Sequence, residues 1–294
     1  MPVPTSINGV VSLLRSVLEV IDDGIPTSTE GRRPGPNILI KNRNSHESKI
    51  HNWLTEKLNS RSYPTTAYKH SLIRSPVYSS GRKAQLYKYW SSDYLSAEMA
   101  IEAARAALSG GISVLEITMS TPGVFEALQF LVHEYPSASL GVGTVLDSQD
   151  AKDALKCGAK FLMSPAMVKE ILDDVAEGQA LYIPGAMTPT EILLASRAGA
   201  KIVKVYPVSA LGGVQYIAAV KKPFPNIQMI ASQGITIDSV GQYIGQGASS
   251  VVLSDAIFEK NAMDAKYFDR INQLACSAAF MGSQAVRKIR DNLS

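Results

Sequence analysis

Residues 202–207 read Ile-Val-Lys-Val-Tyr-Pro, with Gly199 upstream and Gly212-Gly213 downstream. A short run of β-branched and aromatic residues between glycines is the pattern of a buried strand set between helices. Alternate residues on a strand share a face, so Ile202, Lys204 and Tyr206 point one way and Val203 and Val205 the other. If both faces are covered, as in a parallel sheet, the ammonium of Lys204 is held away from water at a cost. Either this lysine snorkels out from a strand end or it has a chemical task.

Working outward, the surrounding chain repeats the same unit. Residues 97–109 form an alanine-rich helical stretch stopped by Gly110-Gly111. A strand follows at 113–119 and a helix opens at Pro122 and runs to about residue 135. Further strands are expected at 139–146, 160–165, 181–186, 202–207, 228–234 and 249–255, with helices between them. One of those helices carries Thr188, Pro189 and Glu191 in capping-box order. Seven strands alternating with helices imply parallel strands joined by right-handed crossovers. No GxGxxG opens the first unit and no switch point breaks the order, which disfavours an open doubly wound sheet. The even period and the count favour a (β/α)8 TIM barrel. Its first strand is degenerate: the only segment in the expected place is Ala-Gln-Leu-Tyr-Lys-Tyr-Trp at 84–90. Residues 267–287 read as one or two closing helices.

The chain therefore divides into an extension of low order, 1–92, and a barrel domain, 93–294. The extension carries 13 basic and 6 acidic residues and the domain 16 and 20, so the overall charge of +3 belongs to the extension. Nothing in the domain offers the positive field a nucleic acid requires. Residues 11–21 have helical apolar spacing, whereas 57–92 hold seven basic residues and no acidic one. Such a basic, hydroxyl-rich stretch reads either as an organelle transit segment, plastid or mitochondrial, or as an extension without an address, which leaves chloroplast and cytoplasm both open. No apolar run reaches the roughly 18 residues of a membrane span. Two cysteines, Cys157 and Cys276, build neither a disulfide framework nor a metal cluster, which suits a reducing compartment.

Reactive groups of a barrel come from the C-terminal ends of its strands. There Glu116 lies inside Val114-Leu115-Glu116-Ile117-Thr118, sharing a face with Val114 and Thr118. A buried ion pair of Glu116 with Lys204 is one reading. The other is chemistry: a lysine in an apolar pocket is a nucleophile toward ketones, and a nearby glutamate can move protons. His46, His51 and His70 fall in the extension and His133 on a helix, so neither a paired-histidine zinc site nor a Ser-His-Asp triad is available. No metal and no cofactor are expected. The loops after the last two strands, Ser232-Gln233-Gly234 and Leu253-Ser254-Asp255, occupy the position from which this fold presents backbone N–H groups to phosphate.

Over residues 97–279 the chain resembles the 2-keto-3-deoxy-6-phosphogluconate aldolase and 4-hydroxy-2-oxoglutarate aldolase family, and within it plant or cyanobacterial members. The motifs are Gly-Gly-Ile-Ser-Val-Leu-Glu-Ile-Thr-Met-Ser-Thr at 110–121, Gly-Val-Gly-Thr-Val-Leu at 141–146, Ser-Pro-Ala-Met at 164–167, Ile-Pro-Gly-Ala-Met-Thr-Pro-Thr-Glu at 183–191 and Lys-Val-Tyr-Pro at 204–207. The resemblance implies a class I aldolase, a homotrimer. It would cleave 2-keto-3-deoxy-6-phosphogluconate to pyruvate and glyceraldehyde 3-phosphate, as in the Entner–Doudoroff route. The alternative substrate is 4-hydroxy-2-oxoglutarate, which gives pyruvate and glyoxylate. It implies Lys204 as the Schiff-base residue, Glu116 as general acid and base, and Thr144 and Pro165 at the pyruvate end. Ser232, Gln233, Gly234, Leu253 and Ser254 would surround the phosphate. The chain departs from the family at Ser120, where an arginine holds the substrate carboxylate. It departs again at Gln233 and Leu253, which replace glycines at the phosphate loops. These losses admit a third expectation, a catalytically weakened barrel that serves by binding.

Overall fold

A strand buried on both faces needs runs of small and β-branched residues between polar turns. All seven segments expected from residue 113 onward meet that need and form strands in the computed structural model, which describes residues 10–13, 97–175 and 180–293. They are β2 (Val114–Thr118), β3 (Ser139–Gly143), β4 (Phe161–Met163), β5 (Leu181–Ile183) continued past Pro184 as β6 (Gly185–Ala186), β7 (Ile202–Val205), β8 (Gln228–Ser232) and β9 (Ser250–Leu253). Neighbours pair in parallel from β2 to β5 and again from β6 to β9.

Pro184 is where the sheet closes on itself. Before it, β5 pairs with β4; after it, β6 pairs with β7 on the other side. Proline has no N–H to give a ladder, but its carbonyl still accepts from the Lys204 N–H at 2.8 Å. The gap between β2 and β9 is filled by β1 (Val10–Leu13), antiparallel to both, with Val10 opposite Ile117 and Ser12 opposite Leu253. Eight strand positions thus enclose a (β/α)8 barrel.

The strand β1 corrects the expected helix over 11–21 at residues 10–13, the part of that stretch that is described. The expected first strand at 84–90 and the transit-like stretch 57–92 lie outside the described residues. The physical reason is plain: Val-Val-Ser-Leu suits a pleat at least as well as a helix. The exposed edges of β2 and β9 supply backbone partners that a lone helical turn lacks.

Helices cover the outside: α1 (97–109), α2 (Val124–Glu134), α3 (Ser148–Lys156), α4 (Lys169–Asp174), α5 (Pro189–Arg197), α6 (Val214–Lys221), α7 (Val240–Gly245), α8 (Lys260–Asp264) and α9 (Phe268–Leu293). The expected capping box is formed: Thr188 accepts from the Glu191 N–H, and Glu191 Oε2 accepts from the Thr188 N–H at 2.7 Å. The helix expected from Pro122 begins two residues later, behind Gly123. The closing segment is one helix, α9, which returns against α1. Asn272 Nδ2 donates to the Ala106 carbonyl at 3.0 Å, and a side chain at Gly110 would collide with Ala275. Arg105 ties α1 to α2 with two bonds to the Glu134 carboxylate, 2.8 and 2.7 Å, and a third to Glu102 at 2.7 Å. Its guanidinium also lies 5.2 Å from the Phe130 ring centre. Among the described residues, no helix is long and apolar enough to cross a membrane.

The barrel interior is a packed cluster of Val114, Phe161, Met163, Leu181, Ile183, Ile202, Ile230 and Val252. Each buried side chain of this size contributes about 1.5–3 kcal/mol relative to exposure. This apolar plug is the floor on which the site stands.

Candidate active site

Two charged side chains stand on the inward faces of that barrel. Lys204 continues the face of Ile202 on β7 and is 7% exposed; Glu116 continues the face of Val114 on β2 and is 6% exposed. The ladder sets Lys204 opposite Gly185 and Ile230, and Glu116 opposite Gly141. Glycines at 141 and 143 leave one face of β3 bare. The Phe161 ring fills the space a side chain at Gly141 would take, and the Glu116 carboxylate fills the corresponding space at Gly143. The period-two glycines in the sequence around 141 therefore mark room reserved for a neighbour.

Burial sets the electrostatics. It pushes the Glu116 carboxyl above its ordinary range, against the pull of the Lys204 charge. It pushes the Lys204 amine below its ordinary range, against the pull of Glu116. Desolvation is the larger cause for both, so both move toward their neutral forms. The ring of Tyr206 lies 5.3 Å from Lys204 Nζ, a cation–π contact that favours the ammonium.

The expected substrate-binding positions gather at the C-terminal ends of the strands. Ser120 is exposed beyond β2, with its hydroxyl 3.1 Å from that of Thr118. Thr118, on Glu116's face, also meets the Thr121 hydroxyl at 3.1 Å. Thr144 is exposed directly after β3, and Pro165 is half-buried after β4, its backbone pressed against Gly185. Ser232 is buried at the end of β8; Gln233 is exposed with φ +81°, followed by Gly234 at φ +71° packed on Ser209. Ser254 is half-buried after β9.

Leu253 offers the mouth its backbone and not its side chain. It is fully buried and alternates with Val252 of the interior cluster, so its side chain turns to the helix layer and not into the mouth. Only its backbone is available there. Three features were not anticipated: the Thr118 hydroxyl cluster, the bare face of β3, and a buried clamp beneath the loop after β4. In that clamp Ser164 and Tyr182 share a hydrogen bond of 2.6 Å, and the Tyr182 hydroxyl accepts from the Val168 N–H at 2.9 Å. Among the described residues, no group of His, Cys, Asp and Glu could hold a metal ion.

A barrel with a buried amine and a buried carboxyl on its inward faces suits Schiff-base chemistry on a carbonyl substrate, and the comparisons with known proteins name the class: a lyase of the aldolase type. Residues 93–274 match the family model described as KDPG and KHG aldolase, and the chain belongs to that family. The KHG/KDPG aldolase of Escherichia coli (strain K12) is 32% identical over 181 residues, covering 62% of this chain and 85% of the relative. A solved structure described as native KDPGal superposes with a TM-score of 0.60 at 26% identity, covering 65% of this chain and 91% of that one. The KDPG aldolase of Legionella pneumophila, solved with pyruvate captured as a covalent carbinolamine, gives 0.58 at 27% identity over 62% and 88%.

Proposed function

We propose that this aldolase cleaves a 4-hydroxy-2-oxo acid to pyruvate and an aldehyde through an imine on Lys204. The observation that carries the reading is the burial of Lys204, whose amine is thereby drawn toward the neutral, nucleophilic form. The amine adds to the C2 carbonyl, and loss of water leaves an iminium. Glu116, as carboxylate, takes the proton from the C4 hydroxyl. The C3–C4 bond breaks, its electrons pass into the iminium, and the aldehyde departs. The carboxyl of Glu116 then returns its proton to C3 of the enamine, and water releases pyruvate. The covalent pyruvate adduct of the Legionella relative supports the first step.

Thr118, Ser120 and Thr144 hold the keto-acid carboxylate with neutral hydroxyls, and Pro165 packs against the methyl end. The backbone of Ser232, Gly234, Leu253 and Ser254, with the Gln233 side chain, surrounds the aldehyde half. Borohydride reduction of the protein with pyruvate, followed by peptide mass analysis, tests the assignment. A reduced pyruvyl adduct on Lys204 is expected, and its absence would remove the reading.

A homotrimer is part of the same proposal. Leu146, Met167 and Met187 are exposed on loops that follow adjacent strands, with Leu194 exposed on α5 nearby in sequence. A surface of that kind suits association with copies of itself, and sedimentation equilibrium at three times the monomer mass is the expected result. The basic, acid-free stretch 57–92 supports a plastid address, to be tested by the site of a fluorescent fusion.

A further inference from the structure

Gln233 caps the seventh strand of the barrel, in the loop from which this fold commonly offers backbone N–H groups to a phosphate. Such a cradle needs bare backbone, which is why glycine suits it. Here the apex carries an amide on a flexible stem. It does so at φ +81°, a left-handed conformation that residues with a Cβ seldom adopt. Gly234 behind it is held against Ser209, where a side chain would collide, so the turn cannot easily shift to accommodate a bulky group. A strained non-glycine residue kept at a site's edge points to a function for its side chain.

The charge around the mouth points the same way. The seven strand-to-helix loops at 119–123, 144–147, 164–168, 187–188, 206–213, 233–239 and 254–259 contain no lysine or arginine. They contain Asp147, Asp238, Asp255 and Glu259. Among the described residues of these loops, nothing cationic rewards a phosphate dianion, and the acidic groups oppose one.

We propose that Gln233 is a specificity-determining residue that selects a short, unphosphorylated aldehyde half. Its neutral amide hydrogen-bonds a hydroxyl or carboxylate oxygen at the place where a phosphate would need free backbone. This rests on the aldolase reading above. Since Gln233 is exposed, its replacement leaves the barrel core untouched.

The test compares kcat/KM for 4-hydroxy-2-oxoglutarate and 2-keto-3-deoxy-6-phosphogluconate in the full chain and in its Gln233→Gly variant, with borohydride trapping of pyruvate on both proteins. The native enzyme is expected to favour the unphosphorylated acid by about tenfold or more, and the glycine variant to shift the ratio at least about tenfold toward the phosphorylated one. A native preference for the phosphorylated acid, or a ratio unchanged in the variant, overturns the proposal. If Lys204 is trapped while the ratio stays fixed, only the role of Gln233 falls. If no adduct forms and neither acid turns over, the aldolase reading falls and takes this one with it.

Discussion

The carboxylate of Glu116 lies over Gly143 of the neighbouring strand so closely that a methyl group on Gly143 would occupy the place of Oε1. The same methyl would also press on the Met163 Cβ, so the backbone has little freedom to yield. Gly143→Ala should therefore turn the Glu116 side chain away and leave the lysine in place. The expected outcome is a fall in kcat of about 10²-fold, the usual worth of a positioned acid–base group. Trapping of pyruvate on Lys204 should persist. Equal loss of turnover and trapping would mean that the glycine serves the barrel as a whole and not the carboxylate.

How much of this was legible beforehand depends on the residue. Lys204 and Glu116 stand out in a bare sequence because a charge inside an apolar alternating run is anomalous whatever lies beside it. Gly143 carries no such mark: its importance appears only when the register sets β3 beside β2 and the Glu116 side chain leans across. The direction of the Leu253 side chain is hidden for a related reason, since one residue of register decides which face a strand residue occupies. The clamp of Ser164 and Tyr182 joins residues 18 apart through hydroxyls with no periodic signature. The strand Val10–Leu13, which overlaps the start of the helix expected over 11–21, is hidden because four residues hold too little pattern to separate the two periods, and its partners lie over a hundred positions away.

The opposing shifts of the pair give the imine-forming step a pH signature. Glu116, when ionised, holds the Lys204 amine up; burial pulls it down further. Removing the carboxylate charge in Glu116→Gln should lower the lysine further and move the rise of the trapping rate to lower pH. Turnover should drop at every pH, because the proton carrier is gone. A trapping profile that moves to higher pH in the variant would contradict the stated electrostatics.

Stability carries the same signs. Lys204 folded lies below its unfolded value of roughly 10.4, so its burial penalty is complete at low pH and is relieved as pH rises toward that value. Lys204→Met removes the lysine's penalty and should stabilise the fold at acid pH, where Glu116 is protonated and needs no cation. Glu116, losing its cationic neighbour, is then pushed higher still. A carboxyl raised on folding contributes its stability below the unfolded value, roughly 4.3, and loses it as pH rises toward the folded one. Both effects shrink the variant's advantage with increasing pH. Urea unfolding at about pH 5, 7 and 9 should show the largest gain at the acid end, and a gain that grows with pH would reverse the argument.

Away from the site, the joint between α1 and α2 offers a stability test without chemistry. The Arg105 side chain is only 12% exposed and bonds both Glu134 and Glu102. Arg105→Ala leaves two carboxylates without their cation and uncovers the Phe130 ring, so a loss of about 1.5–3 kcal/mol is expected. The KM for the keto acid should not change. An unfolding midpoint equal to the native one would show that solvent replaces the network at no cost.

The mouth itself can be asked what its hydroxyls lack. Ser120 is exposed at the end of β2 and, among the described residues, its hydroxyl bonds that of Thr118, 3.1 Å away. A neutral hydroxyl gives a carboxylate roughly 1 kcal/mol less than a charged donor does. Ser120→Arg has open solvent in which to place its stem, and its planar fork can grip both carboxylate oxygens. A difference of that size corresponds to about fivefold to tenfold in affinity. Because the carboxylate is held alike before and during bond cleavage, the gain should appear as a lower KM with kcat nearly unchanged. A large rise in kcat instead would mean that the native barrel is catalytically weakened and that the serine, not the lysine or the glutamate, is what limits it.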